Sequence, residues 1–253
     1  MSTYWFSLRR RQAYFSAKGD VTRPSRLYAN GPSLDLGLGE TGRGDSTSDR
    51  GKRRSVRYIY PILRPSSAVK PWVLLEIGIR GEPHPRALRP LRSYMAEYAL
   101  EKGGATESDF DEFAPVWIHV LNPERTLIEK LSILHDLAAR YPASRERVPN
   151  AARHLYDVVR LLSDAGVRAA LVPAPATAAG MATATDRISE EFGWSFTPRP
   201  AGGYATSPAF DPGHPIHSVL RPAYEYLLET LVYGNRPSYE ECLAIVAEHA
   251  ALL

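Results

Sequence analysis

The chain has 253 residues, of which 44% are hydrophobic, 23% charged and 10% aromatic. That composition suits one large core or two modest domains, and excludes a disordered tail, a fibre and a disulfide-stapled mini-protein. Net charge is +3, but unevenly spread: residues 1–70 carry a balance of +9 and the other 183 a balance of −6.

The first 54 residues form a basic lead-in. Tyr4, Trp5 and Phe6 open it, and residues 30–54 follow as a Gly/Ser/Arg/Asp mixture too poor in apolar side chains to pack. Such a segment is either a solvated arm or a contact surface for nucleic acid or phosphate. From Ser55 alternation sets in. Val56, Tyr58 and Tyr60 predict a strand over 55–63, with Pro61 at its end or edge. Val73, Leu75, Ile77 and Ile79 predict a second over 73–81, with Leu74, Glu76, Gly78 and Arg80 on its other face. The simplest pairing is antiparallel, across a loop of about eight residues. Residues 93–102 predict a short helix stopped at Gly103-Gly104, and Val116, Ile118 and Val120 a third strand over 115–121.

Past Asn122 the period turns helical. Leu127, Leu131, Leu134 and Ala138 make one stripe over 126–140, with Asn122 or Thr126 as cap. Ala151, Leu155, Val158, Val159 and Leu162 make another over 151–164, with Gly166 as the expected stop. An Ala-rich stretch and a Pro/Gly-punctuated loop over 197–215 follow, then two amphipathic helices near 218–232 and 238–252. Strands first and helices afterwards define an α+β protein, divided into a lead-in (1–54), a sheet region (55–122) and a helical region (123–253).

Three polar residues stand out. Glu76 interrupts an apolar strand, where β-propensity disfavours it. It either holds a divalent cation or a proton, or faces water on a one-sided sheet. Lys130 lies about 40° from Leu134 on a helical wheel, inside the edge of the apolar stripe. It either snorkels outward or enters a cleft to meet phosphate. Asp157 falls on the polar side of its helix, four residues from Arg153, as a surface pair or as the lining of a groove. The single cysteine, Cys242, cannot form an intrachain bridge, which fits a reducing compartment. No run approaches 18 apolar residues and no signal-peptide pattern opens the chain, so a cytoplasmic protein without membrane contact is expected. The histidines lack metal-ligand spacing, Gly37, Gly39, Gly42 and Gly44 lack the lysine of a phosphate-binding loop, and no G-x-S-x-G elbow is present.

Taken in order, VLLEIGIRG, RTLIEKLSILHDLAAR, RHLYDVVRLL and the ending PSYEECLAIVAEHAALL resemble the later motifs of the AbiEii/AbiGii (MenT-type) nucleotidyltransferase toxins, within the DNA polymerase β-like superfamily. The resemblance implies transfer of a nucleoside monophosphate from a nucleoside triphosphate with Mg²⁺ to a tRNA or other RNA acceptor, under control of an antitoxin. It matches Glu76 to the acidic residue on the strand after the catalytic hairpin, where it would support metal or the acceptor hydroxyl. It matches Lys130 to the lysine of the E-K-L motif and Asp157, with Arg153, to the later R-D/H-x-Y-D motif. Lys130, Arg153 and Arg80 would bind nucleotide; Glu76, Lys130 and Asp157 would be catalytic. The family's first motif, Gly-Ser/Thr followed by Asp-x-Asp, is not found. GPSLDL sets Pro32 between Gly31 and Ser33 and offers only Asp35, while Asp45 and Asp49 are wrongly spaced. The expectation is therefore a nucleotidyltransferase toxin of this family, either active or in a truncated or inactive form, with a non-catalytic scaffold that binds an antitoxin or RNA as the alternative.

Overall fold

A computed structural model of the chain describes residues 53–59, 72–78, 84–172, 175–191, 193–194 and 196–253. The chain divides into two compact units: residues 1–79 with 86–120, and residues 80–85 with 121–253.

The first unit holds the strands. β1 (Arg53–Ile59) and β2 (Trp72–Gly78) pair antiparallel, as the alternation predicts, with Ser55 opposite Glu76 and Ile59 opposite Trp72. The expected ends of these strands, including Pro61, the loop over 64–71 and Arg80, lie outside the described residues. β4 (Val116–Leu121) is the expected third strand. Its partner is β3 (Arg86–Leu91), which no sequence signal announces. Pro85 and Pro90 flank or interrupt β3 and argue against a strand. Among the described residues, however, this sheet has two strands, so each keeps an edge without a described partner, where a missing N–H costs no ladder bond. α1 (Tyr94–Glu101) lies between them, capped by Ser93 Oγ accepting from the Ala96 N–H at 3.1 Å. It stops where expected: Gly104 has φ +68°, and a Cβ on Gly103 would sit 2.8 Å from the Ala99 carbonyl oxygen.

The second unit is helical: α2 (Pro123–Ala139), α3 (Ala152–Ser163), α4 (Ala165–Leu171), α5 (Pro175–Glu191), α6 (His217–Leu231) and α7 (Tyr239–Glu248). α2 packs along α3, and α3 also meets α6 and α7. The predicted stripes of α2 and α3 are both buried, and with Tyr204, Tyr224, Tyr239 and Cys242 they build one core. Asn122 is the N-cap of α2, but its amide donates to Glu124 Oε1 instead of capping through the side chain.

Gly166 does not stop α3. Asp164 ends that helix in extended conformation, and its Oδ1 accepts the Val167 N–H at 3.0 Å, so the same residue caps α4. The Ala-rich stretch, left without an element by its weak periodicity, becomes α5. Its Thr183, Thr185 and Ser189 hydroxyls donate to carbonyls four residues back, so these polar groups cost the helix little. α7 begins with a capping box between Ser238 and Glu241. Leu253 is clamped as well. The Leu253 backbone oxygen accepts from Arg199 Nε (3.1 Å), Arg199 Nη2 (2.8 Å) and the Tyr204 N–H (3.1 Å). Gly203, at φ +86°, permits this approach, because a Cβ there would lie 2.9 Å from the Leu253 backbone carbonyl carbon.

Candidate functional site

α2 and α3 bring their two singled-out polar residues together. Lys130 lies one residue before the buried Leu131, and Asp157 one before the buried Val158, so dense packing on either side aims both across the helix seam. Lys130 Nζ stands 3.5 Å from Asp157 Oδ2, with 24% and 26% of the two side chains exposed. Asp157 therefore lines a partly buried seam, although its wheel position reads as a polar surface. Arg153, a turn earlier on α3 and half-buried, adds positive charge to the same end of the seam.

A third residue completes the cluster, and the sequence reading missed it. His154 Nδ1 lies 3.1 Å from Lys130 Nζ and 3.9 Å from Asp157 Oδ2, with only 9% of its side chain exposed. An ammonium has no lone pair, so Nδ1 accepts and the ring proton sits on Nε2. The available signal was the one that exposed Lys130: a polar residue on an apolar stripe, since Ala151 and Val158 flank His154 at helical spacing.

Burial sets the protonation states. It pushes the His154 imidazolium down to about 4, with Lys130 and Arg153 adding to the repulsion and Asp157 opposing it. At neutral pH His154 is therefore an uncharged acceptor. Burial also holds the Lys130 ammonium below its ordinary value, helped by Arg153 and opposed by Asp157 and Glu129. The cluster is thus a lysine held between a carboxylate and a neutral imidazole, open enough to meet a ligand and dry enough for charge to count.

The other predicted site residues are placed less fully. Glu76 lies on β2 in the first unit; its side chain, and all of Arg80, fall outside the description. Asp35, Asp45, Asp49 and the lead-in also lie outside the described residues. Among the described residues no group of three or more His, Cys, Asp or Glu side chains could hold a metal ion. None of the described helices is long and apolar enough to cross a membrane.

A second buried cation on α2, Arg125, also escaped the sequence reading. Its Nη1 donates to the Met181 carbonyl at 3.2 Å and its Nε pairs with Glu129 at 3.3 Å, which fixes α5 to α2. His135 likewise belongs to the packing: it bonds Ser207 Oγ at 2.9 Å and the Pro198 carbonyl at 3.1 Å. A shallow groove bordered by Arg236, Glu241 and Glu248 runs along α7 and the segment before it. The Tyr156 hydroxyl, on α3, donates to the carbonyl of Asn235, one of the groove's lining residues, at 3.3 Å.

An α+β chain with a lysine–aspartate seam between two core helices is what the family comparison explains. The sequence model described as nucleotidyl transferase AbiEii toxin, type IV toxin–antitoxin system, matches residues 33–243, and the chain belongs to that family. The matched span includes Glu76, Lys130, Arg153, His154 and Asp157. No curated protein matches the chain, and no solved structure matches it. Membership makes the protein a toxin-family component of a type IV toxin–antitoxin system, with an antitoxin as its implied partner.

Proposed function

We propose that the chain transfers a nucleoside monophosphate from a nucleoside triphosphate to an RNA acceptor, a tRNA being the first to test, in the cytoplasm. The observation that carries this reading is the 3.5 Å pairing of Lys130 with Asp157 across α2 and α3, two residues far apart in sequence that the family resemblance had singled out separately. In this reading Lys130 and Arg153 bind the triphosphate, and Asp157 fixes the lysine's direction. Arg80 adds a further positive charge to the nucleotide.

The chemistry is a displacement at the α-phosphorus. A bond forms from the acceptor hydroxyl oxygen to that phosphorus, the bond to the bridging oxygen breaks, pyrophosphate leaves and the hydroxyl proton passes to solvent. Charge builds on the pyrophosphate oxygens as they leave, and a fixed ammonium beside them stabilises that charge more than it stabilises the bound substrate. Mg²⁺ supplies further charge neutralisation when it accompanies the nucleotide. The family resemblance matches Glu76 to the metal, whereas the described residues do not assemble a set of metal ligands.

The test is direct. Incubation of the chain with Mg²⁺, α-labelled nucleoside triphosphates and tRNA should place label on the RNA, and Lys130→Ala or Asp157→Ala should reduce this at least about a hundredfold. Absence of label with every nucleotide, alongside antitoxin binding that both substitutions leave intact, would favour a non-catalytic scaffold.

A further inference from the structure

We propose that His154 is a positioning residue for Lys130: its Nδ1 holds the ammonium in place without cancelling its charge, so that one N–H stays aimed at a triphosphate. The inference rests on the nucleotide-binding reading of the seam and adds a residue to it. Its basis is geometric. Lys130 Nζ is closer to His154 Nδ1 (3.1 Å) than to Asp157 Oδ2 (3.5 Å). The imidazole is nearly buried and rigidly placed on α3, three residues before Asp157. Nδ1 lies 3.9 Å from Asp157 Oδ2 but 3.1 Å from the ammonium, and a carboxylate has no proton to give it, so the ammonium is the partner its lone pair accepts from.

The chemistry explains why an imidazole suits this position. An ammonium carries three N–H donors. Two are directed to His154 and Asp157, and the third is what a phosphate oxygen would accept. Were the second partner another carboxylate, the lysine would face two negative charges and the cluster would repel a polyanion. A neutral acceptor orients the lysine and leaves the local balance unchanged. The charged groups around it are Asp157 and Arg153 on α3 and Glu129 on α2. A long lysine side chain otherwise surrenders rotamer freedom when a ligand binds, and holding it beforehand reduces that loss.

Three substitutions separate positioning from mere packing. His154→Asn places an amide oxygen where Nδ1 lies, His154→Gln places it one bond too far, and His154→Leu fills the space with no acceptor. Inorganic triphosphate binding is measured by calorimetry at pH 7.5 for the full chain, the three variants and Lys130→Ala. The Asn variant should bind within about twofold of the parent, and the Gln and Leu variants about tenfold or more weakly, as for loss of one charge-assisted hydrogen bond. A packing role would rank Leu and Gln above Asn. Parent-like binding by the Gln and Leu variants, with weakened binding by Lys130→Ala, overturns the role of His154 and leaves the nucleotide reading intact.

If the parent fails to bind, or Lys130→Ala binds as well as the parent, the nucleotide reading fails instead. His154 is then judged without any ligand, from the ¹H–¹⁵N signal of the Lys130 ammonium, assigned by its loss in Lys130→Arg. A protected signal in the parent and Asn variant that vanishes in the Gln and Leu variants supports positioning. An equally protected signal in the Leu variant overturns it.

Discussion

Between residues 86 and 120, in the strand unit, only Ala96 and Phe113 are buried hydrophobics, while Leu88, Tyr98, Val116 and Trp117 stand more than half exposed. In the helical unit the stripes of α2 and α3 close on one core that also takes in α5, α6 and α7. The difference shows where a charged cluster can be held. Lys130, His154 and Asp157 keep their geometry because the residues beside them, Leu131, Leu155 and Val158, are wholly buried. A lysine on a surface as open as that around Trp117 would be solvated and mobile, and its pairing with a carboxylate would be worth little.

Truncating side chains in both units tests this contrast most severely. Leu131→Ala and Leu155→Ala should each cost about 2–5 kcal/mol, through lost burial and a residual cavity. Val116→Ala and Trp117→Ala should stay within about 0.5 kcal/mol. Urea unfolding reads both, and equal losses in the two units would contradict the contrast.

Acid should unfold the helical unit through its buried imidazoles. The folded state holds His154 down to about 4 from an ordinary 6.5, so between these values the unfolded chain binds the proton more readily. The stability this confers is fully present above pH 6.5 and is lost as pH falls towards 4, by about 3 kcal/mol. His135 and His217, also held down by burial, act in the same direction. His154→Asn should flatten the slope of unfolding free energy over pH 6.5–4, and an unchanged slope would show that His154 titrates normally.

Smaller effects test how the helical unit is fastened at its ends. Arg199→Met removes both guanidinium bonds to Leu253 and should cost about 2 kcal/mol. Ser238→Ala removes the cap of α7 and should cost about 1 kcal/mol. Thermal melting orders the two, and a larger loss from Ser238→Ala would reverse the ranking.

Legibility followed the same division. The stripes of α2 and α3 repeat every three to four residues, and periodicity of that kind survives folding because it is what the core selects. β1 and β2 were readable from alternation for the same reason. β3 was not, since its prolines argue against a strand unless one knows that it has a free edge. α5 escaped because alanine and back-bonded hydroxyls carry almost no amphipathic signal, and Gly166 misled because Asp164 had already turned the chain. In the site, Lys130 was visible as a charge on an apolar stripe. Asp157 looked like surface, because no wheel drawn for one helix shows what a neighbouring helix places against its polar side. His154 was concealed by ordinary expectation, which makes a histidine among apolar residues a packing residue.

The central claim is that Lys130 meets the triphosphate of a nucleotide. Acyl-phosphate derivatives of nucleoside triphosphates transfer their acyl group to a lysine lying beside the phosphates, and peptide mass spectrometry then reads which of the chain's five lysines is modified. Acylation should concentrate on Lys130 and be suppressed by excess nucleoside triphosphate. Label spread evenly over Lys18, Lys52, Lys70, Lys102 and Lys130, or unaffected by competing nucleotide, would contradict it.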